Sequence, residues 1–123
     1  MLLFTKPIEK KLISNYEKFK YDSYNERPVV KLFLPEGSSY MLLTEYNPED
    51  DLAFGLSYIH CKEIGLVDMR EVRAIRSPMF QLPMERDRYY KTKKTLNEIL
   101  YGDQEDEWRK TYQDKDVHKT MQR

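Results

Sequence analysis

The sequence has little of what catalytic or metal chemistry needs. It holds one cysteine, Cys61, and two histidines, His60 and His118, in 123 residues. A lone thiol builds no disulfide framework, and a structural zinc site takes about four Cys or His ligands. We therefore expect no metal, and a reducing cytoplasmic compartment. His60 and Cys61 are adjacent, and on a strand neighbouring side chains point to opposite faces, so they would not share an ion. The four glycines are scattered, and no phosphate-cradling loop or nucleophile elbow appears, so no cofactor is expected. Lys plus Arg and Asp plus Glu both number 21. That balance excludes a uniformly basic nucleic-acid binder and a uniformly acidic mimic of DNA. No apolar run approaches the ~20 residues that span a bilayer, and Met1-Leu2-Leu3-Phe4 is too short for a secretory leader, so no membrane partner is expected.

What is present is regular. Thr5 before Lys6-Pro7 reads as a helix start, and Ile8, Leu12, Tyr16 and Phe19 form one apolar stripe, predicting a helix over 6–19. Val29–Leu34 lies between Pro28 and Pro35 and reads as a strand. Its hairpin partner is Tyr40–Tyr46, across the turn Glu36–Ser39. Asn47–Asp51 turns the chain into a third strand, Leu52–Cys61. Gly55 inside that strand predicts a bulge or a close backbone approach. Ile64–Val67 reads as a short fourth strand. Asp68 caps a short helix to Arg76, and Arg86–Lys91 reads as an edge strand. Thr95-Leu96-Asn97-Glu98 is a capping box that opens a two-turn helix ended by Gly102. The fold class is α+β: an N-terminal helix, an antiparallel sheet of three to five strands, and one or two short helices packed on it. Residues 1–102 form one domain. Residues 103–123 are a polar C-terminal extension, in which Trp108, Tyr112 and Val117 fit one face of a helix within 104–119, or a solvated tail.

Charge is segregated along the chain. Residues 32–68 carry seven acids and one base, and residues 69–100 carry eight bases and four acids. The two stretches either pair with each other in the fold or form separate patches. The ten tyrosines and five phenylalanines fit core and hairpin faces better than a base-stacking platform. Three acids in the Asn47–Asp51 turn lack the spacing of a calcium loop and read as a solvated turn. Glu85-Arg86-Asp87-Arg88-Tyr89-Tyr90 alternates charge. On a strand this sets Glu85 and Asp87 on one face and the arginines on the other. Arg86 would then tie its strand to Glu45 or Glu71, or the segment would form a recognition surface with Tyr46 and Tyr89.

Thr44-Glu45-Tyr46, Asn47–Asp51, Phe54-Gly55-Leu56, Glu63-Ile64-Gly65 and Leu82–Asp87 occur in an order that resembles the bacterial DUF2958 family over residues 1–100. The opening Leu2–Ile8, Lys31-Leu32-Phe33 and Thr95–Ile99 are similar to it as well. The chain departs from the pattern at Ser39–Leu43, where the family tends to carry tryptophan, and at Gly65–Val67, where it tends to carry Gly-Tyr-Phe. The resemblance implies a small cytoplasmic protein of conjugative elements, plasmids or phages, with no established activity and no agreed catalytic residues. Three readings follow. The first is a non-enzymatic accessory protein acting by protein–protein contact, for example as an inhibitor of a host defence system, with Glu45, Tyr46, Glu85, Arg86, Asp87 and Tyr89 as contact residues. The second is a nucleic-acid-binding accessory using Arg70, Arg73, Arg76, Arg86, Arg88, Lys91, Lys93 and Lys94. The third is a ligand binder or enzyme in which Glu45 and Glu85–Asp87 converge.

Overall fold

A computed structural model describes residues 3–102. The expected helix within 104–119, with Trp108, Tyr112, Val117 and His118, lies outside the described residues. Helix α1 spans Lys6–Phe19. Thr5 caps it, its hydroxyl accepting from the Ile8 N–H at 3.4 Å, and Pro7 sits in the first turn. Strands β1 (Val30–Phe33), β2 (Tyr40–Asn47), β3 (Leu52–Tyr58), β4 (Lys62–Asp68) and β5 (Glu85–Arg86) form one antiparallel sheet in the order β4-β3-β2-β1-β5. Helix α2 (Met69–Ala74) follows β4, with the Asp68 carboxylate accepting from the Arg70 N–H at 2.9 Å. The α+β class is confirmed, with five strands.

Both faces of the sheet are covered, because strand alternation sends apolar side chains both ways. One face buries Leu12, Val30, Leu32, Leu43, Met69 and Val72 beneath α1 and α2. The other buries Leu42, Phe54, Leu56, Leu96 and Ile99. Here the capping box forms as expected: the Thr95 N–H donates to Glu98 at 2.8 Å, and the Glu98 N–H to the Thr95 hydroxyl at 3.2 Å. The helix it opens is a π-helix, α3, over Glu98–Gly102.

Four elements differ from expectation; the first is α2, which stops at Ala74 and not at Arg76. The third strand stops at Tyr58, so His60 and Cys61 lie in the exposed β3–β4 turn and not on a strand. The fourth strand is seven residues, longer than expected. The edge strand shrinks to Glu85–Arg86, because Asp87 turns the chain and accepts from the Tyr89 N–H at 2.9 Å.

β2 and β3 pair in register from Tyr40↔Tyr58 to Leu43↔Gly55, then resume at Glu45↔Phe54. Thr44 is the extra residue of a β-bulge. The pinch explains Gly55: a Cβ there would meet the Leu42 carbonyl oxygen at 2.1 Å and the Leu43 Cα at 2.8 Å.

Candidate functional site

The bulge switches Glu45 to the sheet face that carries its partner Phe54, while Tyr46 takes the α1 face. Glu45 is fully buried. Past α1 the chain reverses through two left-handed residues, Lys20 (φ 49°) and Tyr21 (φ 69°). That conformation costs about 1–2 kcal/mol per non-glycine residue. It aims the Tyr21 N–H at Glu45 Oε1, 2.7 Å away, and the buried Ser23 hydroxyl donates to Glu45 Oε2. Ser23 and Thr44 hydroxyls lie 2.7 Å apart, and Asn15 of α1 donates to the Thr44 carbonyl at 2.9 Å. Glu45 therefore ties a loop to the sheet. Arg86 does not reach it: the Arg86 guanidinium donates to the Leu3 carbonyl at 3.1 Å.

Tyr46 belongs to a second cluster. Its hydroxyl donates to Asp51 Oδ1 at 2.7 Å, and Arg73 of α2 grips both Asp51 oxygens at 2.6 and 2.8 Å. The Arg73 hydrogen bonds, then that of Tyr46, pull the Asp51 carboxyl from 3.8 down to about 2. Burial, followed by the Asp51 carboxylate, pushes the Tyr46 phenol up. This clamp fixes α2 onto the β2–β3 turn. Arg70 pairs with Asp68 at 3.2 Å, and Arg76 donates to the Arg73 and Ile75 carbonyls at 2.8 Å each. Arg70 and Arg73 of α2 and Arg76 just after it, all expected for nucleic acid, are thus engaged within the fold. The pairing expected between acidic and basic stretches holds for Arg70 and Arg73.

The rest of the basic stretch forms a patch. An open groove lies beside β1, between the β1–β2 hairpin and the segment after β5. One lobe encloses about 520 Å³ and is lined by Phe33, Arg86, Asp87, Arg88 and Tyr89. A second lobe of about 350 Å³ is lined by Tyr90, Lys91, Lys94 and Ile99. Lys31 and Tyr40 line both lobes and join them. The Lys31 ammonium sits 5.1 Å from the Tyr40 ring centroid, a cation–π contact. Besides Arg86, whose guanidinium donates to the Leu3 carbonyl, four cations, Lys31, Arg88, Lys91 and Lys94, line the groove with one carboxylate, Asp87, among the described residues. Asp87 is tied down locally: it accepts from the Tyr89 N–H, and its own N–H donates to the Lys31 carbonyl at 2.9 Å. Tyr89 is 89% exposed. Lys93 is exposed on the same segment.

The expected residues therefore divide. Arg86, Asp87, Arg88, Tyr89, Lys91 and Lys94 come together; Glu45, Tyr46, Arg70, Arg73 and Arg76 do not join them. Glu85 lines a separate cavity of about 360 Å³ with Val72, Arg76 and Met84. The convergence of Glu45 with Glu85–Asp87 that a ligand pocket needs does not occur: Glu45 lines neither the groove nor the Glu85 cavity. No three His, Cys, Asp or Glu side chains gather as metal ligands among the described residues. Sequence reasoning missed Lys31 and Tyr40. Their signal was available: Lys31 is the one charge inside an apolar strand, and hairpin register sets it two positions from Tyr40.

No curated protein and no solved structure matches the chain. A family model, described as "Protein of unknown function (DUF2958)", matches residues 3–106, most of the chain. The match spans the stretch from the opening Leu-Phe-Thr-Lys-Pro to the Thr95 capping box, and the chain belongs to the DUF2958 family.

Proposed function

We propose that this protein is a non-enzymatic accessory protein that holds a single-stranded nucleic acid in the groove beside β1. One observation carries the reading: four cations, the half-buried Tyr40 ring and the exposed Tyr89 ring share one open groove whose one carboxylate among the described residues, Asp87, accepts from the Tyr89 N–H. Cations along a groove follow a phosphate backbone, and exposed aromatic rings stack bases without regard to sequence. No helix among the described residues is long and apolar enough to cross a membrane. An exposed, unpaired Cys61 suits a reducing cytoplasm.

Fluorescence anisotropy with a labelled single-stranded oligonucleotide at low salt tests the proposal. Arg88→Glu with Lys91→Glu should weaken binding by about tenfold or more. Tyr89→Ala should cost about 1–3 kcal/mol. Arg70→Glu, on α2, should leave binding unchanged. Absence of binding by the unaltered chain, or equal loss from Arg70→Glu, ends the proposal.

A second reading, protein–protein contact, rests on a different surface. Residues 77–83 form a tight loop: the Ser77 N–H donates to the Leu82 carbonyl at 2.8 Å, the Leu82 N–H to the Ser77 hydroxyl at 2.9 Å, and Gln81 has φ 57°. The Phe80 N–H docks on Glu36 of the β1–β2 hairpin at 3.2 Å. Met79 and Phe80, 74% and 67% exposed, are held outward on this fixed tip. Large apolar side chains on a rigid loop suit a protein anchor. The mobile-element setting and inhibition of a host defence system belong to this reading, and the family resemblance alone supports them. A defence nuclease bound by the chain and released by Phe80→Asp, with oligonucleotide binding intact, would favour it.

A further inference from the structure

The outer edge of the sheet opposite the groove has the pattern of an interface with a second copy of this chain. Among the described residues β4 is the terminal strand in the order β4-β3-β2-β1-β5, with β3 as its strand neighbour. An edge strand presents a row of backbone N–H and C=O groups that templates further pairing, and proteins block such edges by shortness, proline, bulges or central charge. The other edge, β5, is two residues long. β4 is seven residues, pairs with β3 without a register shift, and has Ile64-Gly65-Leu66-Val67 at its centre. Leu66 is 58% exposed, although its cross-strand partner Phe54 is only 2% exposed.

We propose that β4 pairs antiparallel with β4 of a second copy about a two-fold axis through Gly65, joining two sheets into one of ten strands. One face of the strand is self-complementary in that register, while on the other Glu63 stands opposite Val67. The axis sets Lys62 opposite Asp68 of the second copy, whose carboxylate also holds Arg70, and Ile64 opposite its Leu66. All four positions share one face, because side chains alternate with period two. Opposite charges and apolar pairs directly across antiparallel strands stabilise the pairing, each by about 0.2–1 kcal/mol, and the two-fold repeats every pair. Neighbouring registers lose the match: an axis through Ile64 sets Lys62 against Leu66, and one through Leu66 sets Ile64 against Asp68. A one-residue slip sends each side chain to the wrong face. The proposal is independent of the nucleic-acid reading, since the groove lies three strands away beside β1 and stays open.

Sedimentation velocity of the full chain over a concentration series tests association. The unaltered chain should show a monomer–dimer equilibrium, and Leu66→Lys should weaken it by about tenfold or more. Register is read by cysteine cross-linking in a Cys61→Ser background. Nothing lies within 4 Å of a Cβ built at Gly65, so Gly65→Cys is accommodated. On the axis it meets its own copy within disulfide reach, and Glu63→Cys lies too far from its copy to bridge. Gly65→Cys should therefore oxidise to a dimer at least about tenfold faster than Glu63→Cys. A chain that sediments as a monomer throughout, a dimer indifferent to Leu66→Lys, or equal cross-linking at the two positions would each overturn the proposal.

Discussion

At Glu45 a buried carboxyl accepts from the Tyr21 N–H and the Ser23 hydroxyl, and no cation pairs with it among the described residues. Glu45→Ala leaves both donors unmatched and opens a cavity, so denaturant unfolding should show a loss of about 3 kcal/mol. Glu45→Gln keeps one acceptor oxygen and most of the volume, and should cost about 1 kcal/mol. A catalytic or ligand-binding role for Glu45 would make the two variants equally inactive yet stable. Asp51 answers to pH. Its folded carboxyl titrates near 2, below the ordinary 3.8, so the unfolded chain binds the proton more readily. The Arg73 clamp therefore contributes fully above about pH 4 and fades as pH falls through 2. With the pair half open to solvent, Asp51→Asn should cost about 1 kcal/mol at pH 7. The difference from the unaltered chain should shrink toward pH 2 in acid-titrated melts. Glu45 was visible in the sequence as a notable acid, but its role was not. The bulge that turns it inward and the left-handed turn that brings Tyr21 and Ser23 to it have no local sequence signature.

Elements with short-range causes were legible. Helix α1 keeps its expected bounds, because its cap, its proline and its apolar stripe all lie within the segment. The hairpin and the Thr95 capping box follow for the same reason. Elements that end through tertiary contacts depart from the expected bounds. The sequence predicts β3 through Cys61, since nothing local marks the turn after Tyr58, and a strand over Arg86–Lys91, where the Asp87 side chain closes a turn instead. Gly55 belongs to this scale. Its expected close approach is real, although the bulge lies on the facing strand at Thr44. The atoms in the way are backbone, which cannot yield as a side-chain tip would. Gly55→Ala should therefore destabilise by on the order of 3 kcal/mol or more, seen as a lowered thermal midpoint. An unchanged midpoint would mean that β2 does not pinch β3 there.

Over the whole molecule, zero net charge conceals a division of labour. The arginines of α2 answer the acids of the β2–β3 turn and the β4 end, while Lys31, Arg88, Lys91 and Lys94 collect where one locally bonded carboxylate opposes them. Sequence counting showed that the second half is basic. It did not show which cations answer the acids of the β2–β3 turn and which line the groove, because that depends on which strand lies beside which. If the groove follows a phosphate backbone, binding must weaken with salt; four contacts to a single strand give a log–log slope of about −3. The most direct measurement is a ¹⁵N-resolved NMR titration of the full chain with a short single-stranded oligonucleotide. The account predicts shifts concentrated at Lys31, Phe33, Tyr40 and residues 86–94, with α1 and α2 unmoved. Shifts on the α2 face, or none at saturating oligonucleotide, would contradict it.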